Sequence, residues 1–261
     1  EFTDELNLQK HRGAKLKKDT LSGLSRLWTW SRKRKYVSDD VFADMRNEIH
    51  KSTKGKPKAR YPFSNNDVIE TLDGMHNLSK HQTMLPVLTL LGLFTGIREA
   101  ELTGLRIQHI LDGHVLDIIA GKNVEAVRQI PTHRALHPLI DTLVESSTDG
   151  WLIPDIPNRK TTREAYASAK FSDYKQKLWG HNTRKELTFH SFRHRIEDLF
   201  RDAEIYIPTG HKLTGRKDSG SEKDYGKGGT ITKMQMALDK LQQGQDVDEA
   251  VARLMDKLLQ D

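Results

Sequence analysis

FHSFRHRIEDLF, residues 189–200, has the periodicity of a helix and an unusual placement of charge. Phe192, Ile196, Leu199 and Ala203 recur at helical spacing and form a stripe for a core. His190 and Arg193 are three apart, so both project from one face beside that stripe. Taken alone, a histidine and an arginine in this position could be a structural hydrogen-bond pair. The downstream sequence gives them a second reading. The stretch TGHKLTGRKDSGSEKDYGKG, residues 209–228, sets a lone Tyr225 in a basic, glycine-rich setting. It also repeats itself, Gly210-His211-Lys212 and then Gly215-Arg216-Lys217. Arg216 lies 23 residues after Arg193 and 9 before Tyr225, whereas His211 lies 18 after and 14 before.

Upstream, TGIREAEL (95–102) places Arg98 just after a glycine turn at the start of a helix, where backbone N–H groups favour an anion. A salt bridge to Glu101 is the alternative use for it. Before it, SNNDVIETLDGM (64–75) reads as a capped short helix and HQTMLPVLTLLGLF (81–94) as a buried one. HVLDIIAG (114–121) and AVRQIPTH (126–133) alternate like strands around a turn at Gly121–Glu125, which puts Lys122 on a hairpin. Helices are expected at about 162–179 and 189–203, then in ITKMQMALDKLQQ (231–243) and DVDEAVARLMDKLLQ (246–260), the last with a capping box at Asp246 and Glu249. Val247, Val251, Leu254 and Leu258 share one stripe of that helix, for packing in cis or on a neighbouring protomer.

The 261 residues carry 42 Lys+Arg, 36 Asp+Glu and no cysteine, with 36% hydrophobic residues. That composition supports a core, excludes disulfides and thiolate metal sites, and suits a reducing cytoplasm. No apolar run approaches a membrane span, and the N-terminus shows no signal-peptide pattern. The missing initiator Met suggests a fragment. Residues 1–60 hold 16 basic against 8 acidic side chains, a balance of +8; the remainder balances at 26 − 28 = −2. A basic end on a near-neutral body fits nucleic acid. LKKDTLSGLSRLWTWSRKRK (16–35) reads as an amphipathic helix with Leu21, Leu24, Leu27 and Trp28 on its packing face, and VSDDVFADM (37–45) as the start of another, capped by Ser38 or Asp39. KSTKGKPKARYP (51–62) breaks the periodicity as a basic linker, a strap for a phosphate backbone. The basic residues expected to touch DNA are Lys33, Arg34, Lys35, Lys54, Lys56, Lys58 and Arg60. His109 and His114 read as surface residues rather than ligands, no carboxylate cluster suggests a two-metal nuclease, and no metal or nucleotide cofactor is expected.

In order, Thr95-Gly96-x-Arg98-x-x-Glu101-Leu102, a hairpin Lys122, His190-x-x-Arg193, a Gly-basic box and Tyr225 resemble the tyrosine recombinase (phage-type integrase) family. The resemblance implies a mainly α fold with a small antiparallel β-sheet (α+β). It implies a helical core-binding domain over 1–55, a linker over 56–63 and a catalytic domain with C-terminal helices over 64–261. The expected catalytic set is Arg98, Lys122, His190, Arg193, Arg216 and the nucleophile Tyr225, supported by Glu101. Family spacing selects Arg216 over His211 for the third box, which usually holds His or Trp; this departure leaves phosphate contact possible and puts proton transfer there in doubt. The partners implied are double-stranded DNA recombination sites and further copies of the chain, as a tetramer on DNA. The rival expectations are a non-catalytic DNA-binding protein on a recombinase scaffold, which Arg216 favours, and a type IB topoisomerase.

Overall fold

The computed structural model describes residues 14–39, 41–42, 61–79, 82–119, 127–157, 161–181, 183–216 and 229–260, with side chains from residue 19 onward. The chain divides into two compact units, Glu1–Ala59 and Arg60–Asp261.

In the first unit, α1 (Ala14–Lys33) buries Leu21 and Ser25, while Leu24 and Trp28 are half-buried. The expected packing stripe is shorter than its periodicity suggests, because Leu27 is 59% exposed. Trp28 donates its indole N–H to the Asp39 carbonyl (2.6 Å) and meets Phe42 edge to face, so it pins the chain that leaves the helix. The helix expected after Ser38 or Asp39 lies largely outside the described residues; 37–39 and 41–42 are not helical.

The second unit is mostly helical. Its described helices are α2 (Asn65–His76), α3 (Met84–Thr95), α4 (Glu99–Thr103), α5 (His137–Ser146), α6 (Arg163–Trp179), α7 (His190–Asp202), α8 (Ile207–Thr214), α9 (Ile231–Leu238) and α10 (Gln245–Gln260). A single antiparallel sheet, in the order β1-β2-β3, joins Ile110–Leu111, Val115–Ile118 and Arg128–Pro131. Val115 pairs with Pro131 and Ile118 with Arg128, so the described strands close toward the hairpin that the alternating pattern announces. Ser64 caps α2 by a reciprocal exchange with Asp67, satisfying two backbone N–H groups that the first turn leaves open.

Every residue of α3 is buried, which accounts for its continuous apolar run: it is the central helix, with no solvent face to mark with polar residues. Helix α7 packs along it, and the approach is close enough that a side chain at Gly92 would meet Phe189 at 2.6 Å. The stripe read from the sequence does face this core, with Phe192 stacked on Phe63 at 4.3 Å and Ile196 fully buried. Arg195 of α7 is buried as well. It donates to the Phe63 carbonyl, the Asn65 amide oxygen, and both the side chain and carbonyl of Gln243, tying α7 to the start of the unit and to the turn before α10. Helix α10 lays Val247, Val251 and Leu254 into the same core against α2, so that stripe packs in cis. The expected cap at Asp246 shifts: α10 begins one residue earlier, after Gly244 at φ 101°, and Asp246 sits within its first turn. His109 also departs from its surface reading. It is buried, and its Nδ1 accepts the Arg106 N–H. No helix among the described residues is long and apolar enough to cross a membrane.

Candidate active site

The last turn of any α-helix leaves carbonyls without intrahelical partners, and its end carries the negative pole of the helix dipole. At the end of α8 each of these carbonyls is taken. Gly215, in the left-handed region at φ 67°, turns the chain so that Gly215 N–H reaches the Lys212 carbonyl (3.3 Å) and Arg216 N–H reaches that of His211 (2.8 Å), the paired bonds of a Schellman cap. The next three carbonyls accept from three arginines. Arg128 of β3 donates to Leu213, Arg193 of α7 to Thr214, and Arg98, ahead of α4, to Gly215 (3.0 Å). Three segments far apart in sequence thus converge on one helix end. From there the chain runs directly into the segment that carries Tyr225.

Gly96 makes the placement of Arg98 possible. At φ 60° it ends α3 and reverses the chain, with Arg193 Cα 3.5 Å and Ile196 3.1 Å from where its side chain would be. Arg193 in turn donates to the Gly96 carbonyl (3.2 Å), so both arginines of the expected site are built around this turn.

The cations are interleaved with two carboxylates. Glu101, only 1% exposed, holds Arg98 at 2.6 Å through one oxygen and Arg128 at 3.0 Å through the other. Glu197, 12% exposed, holds Arg193 at 3.4 Å and Arg216 at 3.0 Å. Four guanidiniums less two carboxylates leave two positive charges. Arg193 is buried, and its pKa is pushed down to about 10 by desolvation and then by Arg98, so it stays charged at neutral pH. His190, at the first turn of α7, has its pKa pushed down to about 4 by desolvation, with His194, Arg193 and Arg98 adding to the effect. Its imidazole is therefore neutral at pH 7.

The structure brings Arg98, Glu101, His190, Arg193 and Arg216 to one place. Arg98 makes the salt bridge to Glu101 that its spacing offered and also donates to the Gly215 carbonyl. His211 sits one turn back on α8, joined to Arg216 through its carbonyl. Lys122 and Tyr225 lie outside the described residues, as do Lys54, Lys56, Lys58 and Arg60. In the first unit, Lys33, Arg34 and Lys35 are exposed at the end of α1, with the Arg34 guanidinium over the Trp30 ring at 4.2 Å.

Arg128 and Glu197 are absent from the set read from the sequence. Arg128 does leave a trace: it alternates with Ile130 on the inward face of β3, where a charged residue needs a partner. Glu197 stands four residues after Arg193, the spacing of a helical ion pair. Among the described residues, no three His, Asp or Glu side chains gather as a metal site requires.

The sequence matches the Phage integrase family over residues 62–201, more than half of the chain, and the protein belongs to that family of tyrosine recombinases. Its fold is shared with solved integrases. The integrase of mycobacterium phage Brujita is 17% identical, with a TM-score of 0.52, covering 97% of this chain and 82% of that one. The Tn1549 transposon integrase, solved in complex with circular intermediate DNA, is 16% identical, with a TM-score of 0.63, covering 89% of this chain and 82% of its own. No curated protein matches.

Proposed function

We propose that this protein is a site-specific DNA recombinase that cuts and rejoins strands through a 3′-phosphotyrosyl intermediate. The observation that carries the reading is the convergence of Arg98, Arg128 and Arg193 on the end of α8, immediately before the segment bearing Tyr225. A cluster with two uncompensated positive charges suits a phosphodiester monoanion that becomes a dianion as it turns pentacoordinate.

In this mechanism the Tyr225 oxygen attacks phosphorus, forming the tyrosyl–phosphate bond and breaking the bond to the 5′-oxygen, which leaves with a proton. The covalent link retains the energy of the broken ester for rejoining to another strand. Arg98, with its side chain 26% exposed, contacts a non-bridging oxygen while Glu101 holds its other edge. Arg193 stabilises the charge from beneath. His190 is neutral at working pH, so it can accept the tyrosyl proton or donate to the phosphate. Lys122 supplies the proton to the leaving oxygen, and Arg216 fills the third-box role. Residues 1–55 act as a core-binding domain with Lys33, Arg34, Lys35 and Lys54 along the phosphates, Lys56, Lys58 and Arg60 of the linker do the same, and four copies assemble on two DNA sites. No cofactor takes part.

The test uses a pool of nicked duplexes of randomised sequence, in which cleavage releases a short strand and traps the covalent complex. The wild type should yield SDS-resistant protein–DNA adducts in EDTA, and Tyr225→Phe should bind the same DNA without forming them. Adducts with Tyr225→Phe, or adducts that need magnesium, would refute the mechanism. DNA binding without any adduct from the wild type would identify a non-catalytic binder instead.

A further inference from the structure

We infer that Glu197 is a positioning residue of this reaction, paired with the arginine that stands where the family has His or Trp. This rests on the function proposed above. Four guanidiniums around one helix end repel one another, and two carboxylates relieve the repulsion in different ways. Glu101 is spent on Arg98 and Arg128, both of which also grip α8 carbonyls. Glu197 instead joins the buried Arg193 to Arg216, whose side chain is 40% exposed. Arg216 follows Gly215, where the helix has ended, on a side chain with many rotatable bonds; Glu197 anchors it at 3.0 Å from α7, an element fixed in the core by Phe192 and Ile196. The carboxylate thus does for a flexible arginine what ring packing does for a rigid imidazole or indole. It sets where the guanidinium waits and offsets the repulsion between Arg193 and Arg216.

A carboxylate in this place also opposes the binding of DNA, since it sits among the groups that meet the phosphate. The two effects have opposite signs in experiment. Removing its charge should tighten DNA binding while slowing strand cleavage, whereas damage to the fold would weaken both.

The test is a double-mutant cycle on the best substrate recovered from the nicked-duplex pool, with Glu197→Gln, Arg216→His and the double variant. Single-turnover adduct formation is measured at saturating protein, with affinity from anisotropy and melting temperature alongside. Glu197→Gln should bind DNA at least as tightly as the wild type yet cleave about tenfold more slowly, the scale of coupling between contacting charged residues. In the Arg216→His background the same change should cost less than about threefold, because Arg216 is gone and Arg193 is already held by the Gly96 and Thr214 carbonyls. Glu197→Asp, which keeps the charge on a shorter arm, should recover part of the rate; it serves also as the second variant if the Gln protein melts early. Equal losses in both backgrounds, or parallel losses of affinity and rate, overturn the inference alone. A wild type that forms no adduct overturns the proposed function and this inference with it.

Discussion

Replacing Glu101 by Gln removes one negative charge and almost nothing else. The two side chains have the same shape, and an amide can still accept one hydrogen bond. The cost arises on Arg128, whose side chain is 3% exposed and loses the charge of the Glu101 carboxylate at 3.0 Å. Desolvation already pulls the Arg128 pKa down, and Glu101 is the counterweight that raises it. Breaking a buried pair by neutralising one member leaves the other charge uncompensated, which costs about 3 kcal/mol or more. For a unit near two hundred residues this corresponds to a fall in melting temperature of roughly 6–12 °C. Arg98→Met offers the contrast. Its side chain is 26% exposed and Glu101 keeps Arg128 when it goes, so the loss should be about 1 kcal/mol. Calorimetric melting with urea unfolding measures both variants. A Glu101→Gln protein within about 1 kcal/mol of the wild type would show that Arg128 is held without the carboxylate charge, and would refute the charge-pair account of the site.

Glu99 should reveal itself through pH. Burial pushes its pKa up to about 7, and its Oε1 lies buried with no hydrogen-bond partner among the described residues. The folded state therefore holds a proton that the unfolded chain releases near 4.5, and the stability it contributes is complete below 4.5 and lost as pH rises through about 7. Glu99→Gln should match the wild type near pH 4 and exceed it at pH 8 by up to ~3 kcal/mol; a difference that does not change between these pH values, read from urea midpoints, would count against this. Gly215→Ala should cost more than Gly113→Ala although both replace a left-handed glycine. At Gly215 the new carbon would come within 2.5 Å of Arg128 Nη1, whereas at Gly113 it meets open space. Each should lose about 1 kcal/mol to backbone strain, and Gly215→Ala at least about 1 kcal/mol more; equal losses would mean that Arg128 moves aside freely.

Much of the fold could be read because its signals are local. The Ser64–Asp67 cap, the unbroken apolar run of α3 and the stripe of Phe192 and Ile196 each depend on neighbours within a turn or two. The expectations that failed concern burial, which the period of a helix does not settle. His109 is buried because Arg106 supplies an N–H three residues away, and Leu27 is exposed although the helical period puts it beside Leu24. In the candidate site, Arg98, His190, Arg193 and Arg216 could be found because each stands in a motif with a fixed spacing. Arg128 and Glu197 stand in none. Glu101 and Leu213, which hold Arg128, and Arg216, which Glu197 holds besides Arg193 four residues before it, are brought in from separate segments by packing, and no period in the chain encodes those pairings.

That division has a physical basis. A group that meets the phosphate needs a definite place relative to the reacting atoms, and short motifs on rigid elements provide it. The groups that make such a place tolerable have a looser requirement, which is only that enough negative charge and enough carbonyl oxygen lie near the guanidiniums. Different residues can meet that condition from different elements. Here Glu101 meets it from α4, three residues after Arg98, and Glu197 from α7, four residues after Arg193. With Arg216 in the third box, as proposed above, the charge to be balanced rises by one, and Glu197, 3.0 Å away, is the side chain placed to balance it. On that reading the departure at Arg216 and the presence of Glu197 are one feature of this chain, and Glu197→Gln should slow a site that loses little from the same exchange once Arg216 is His.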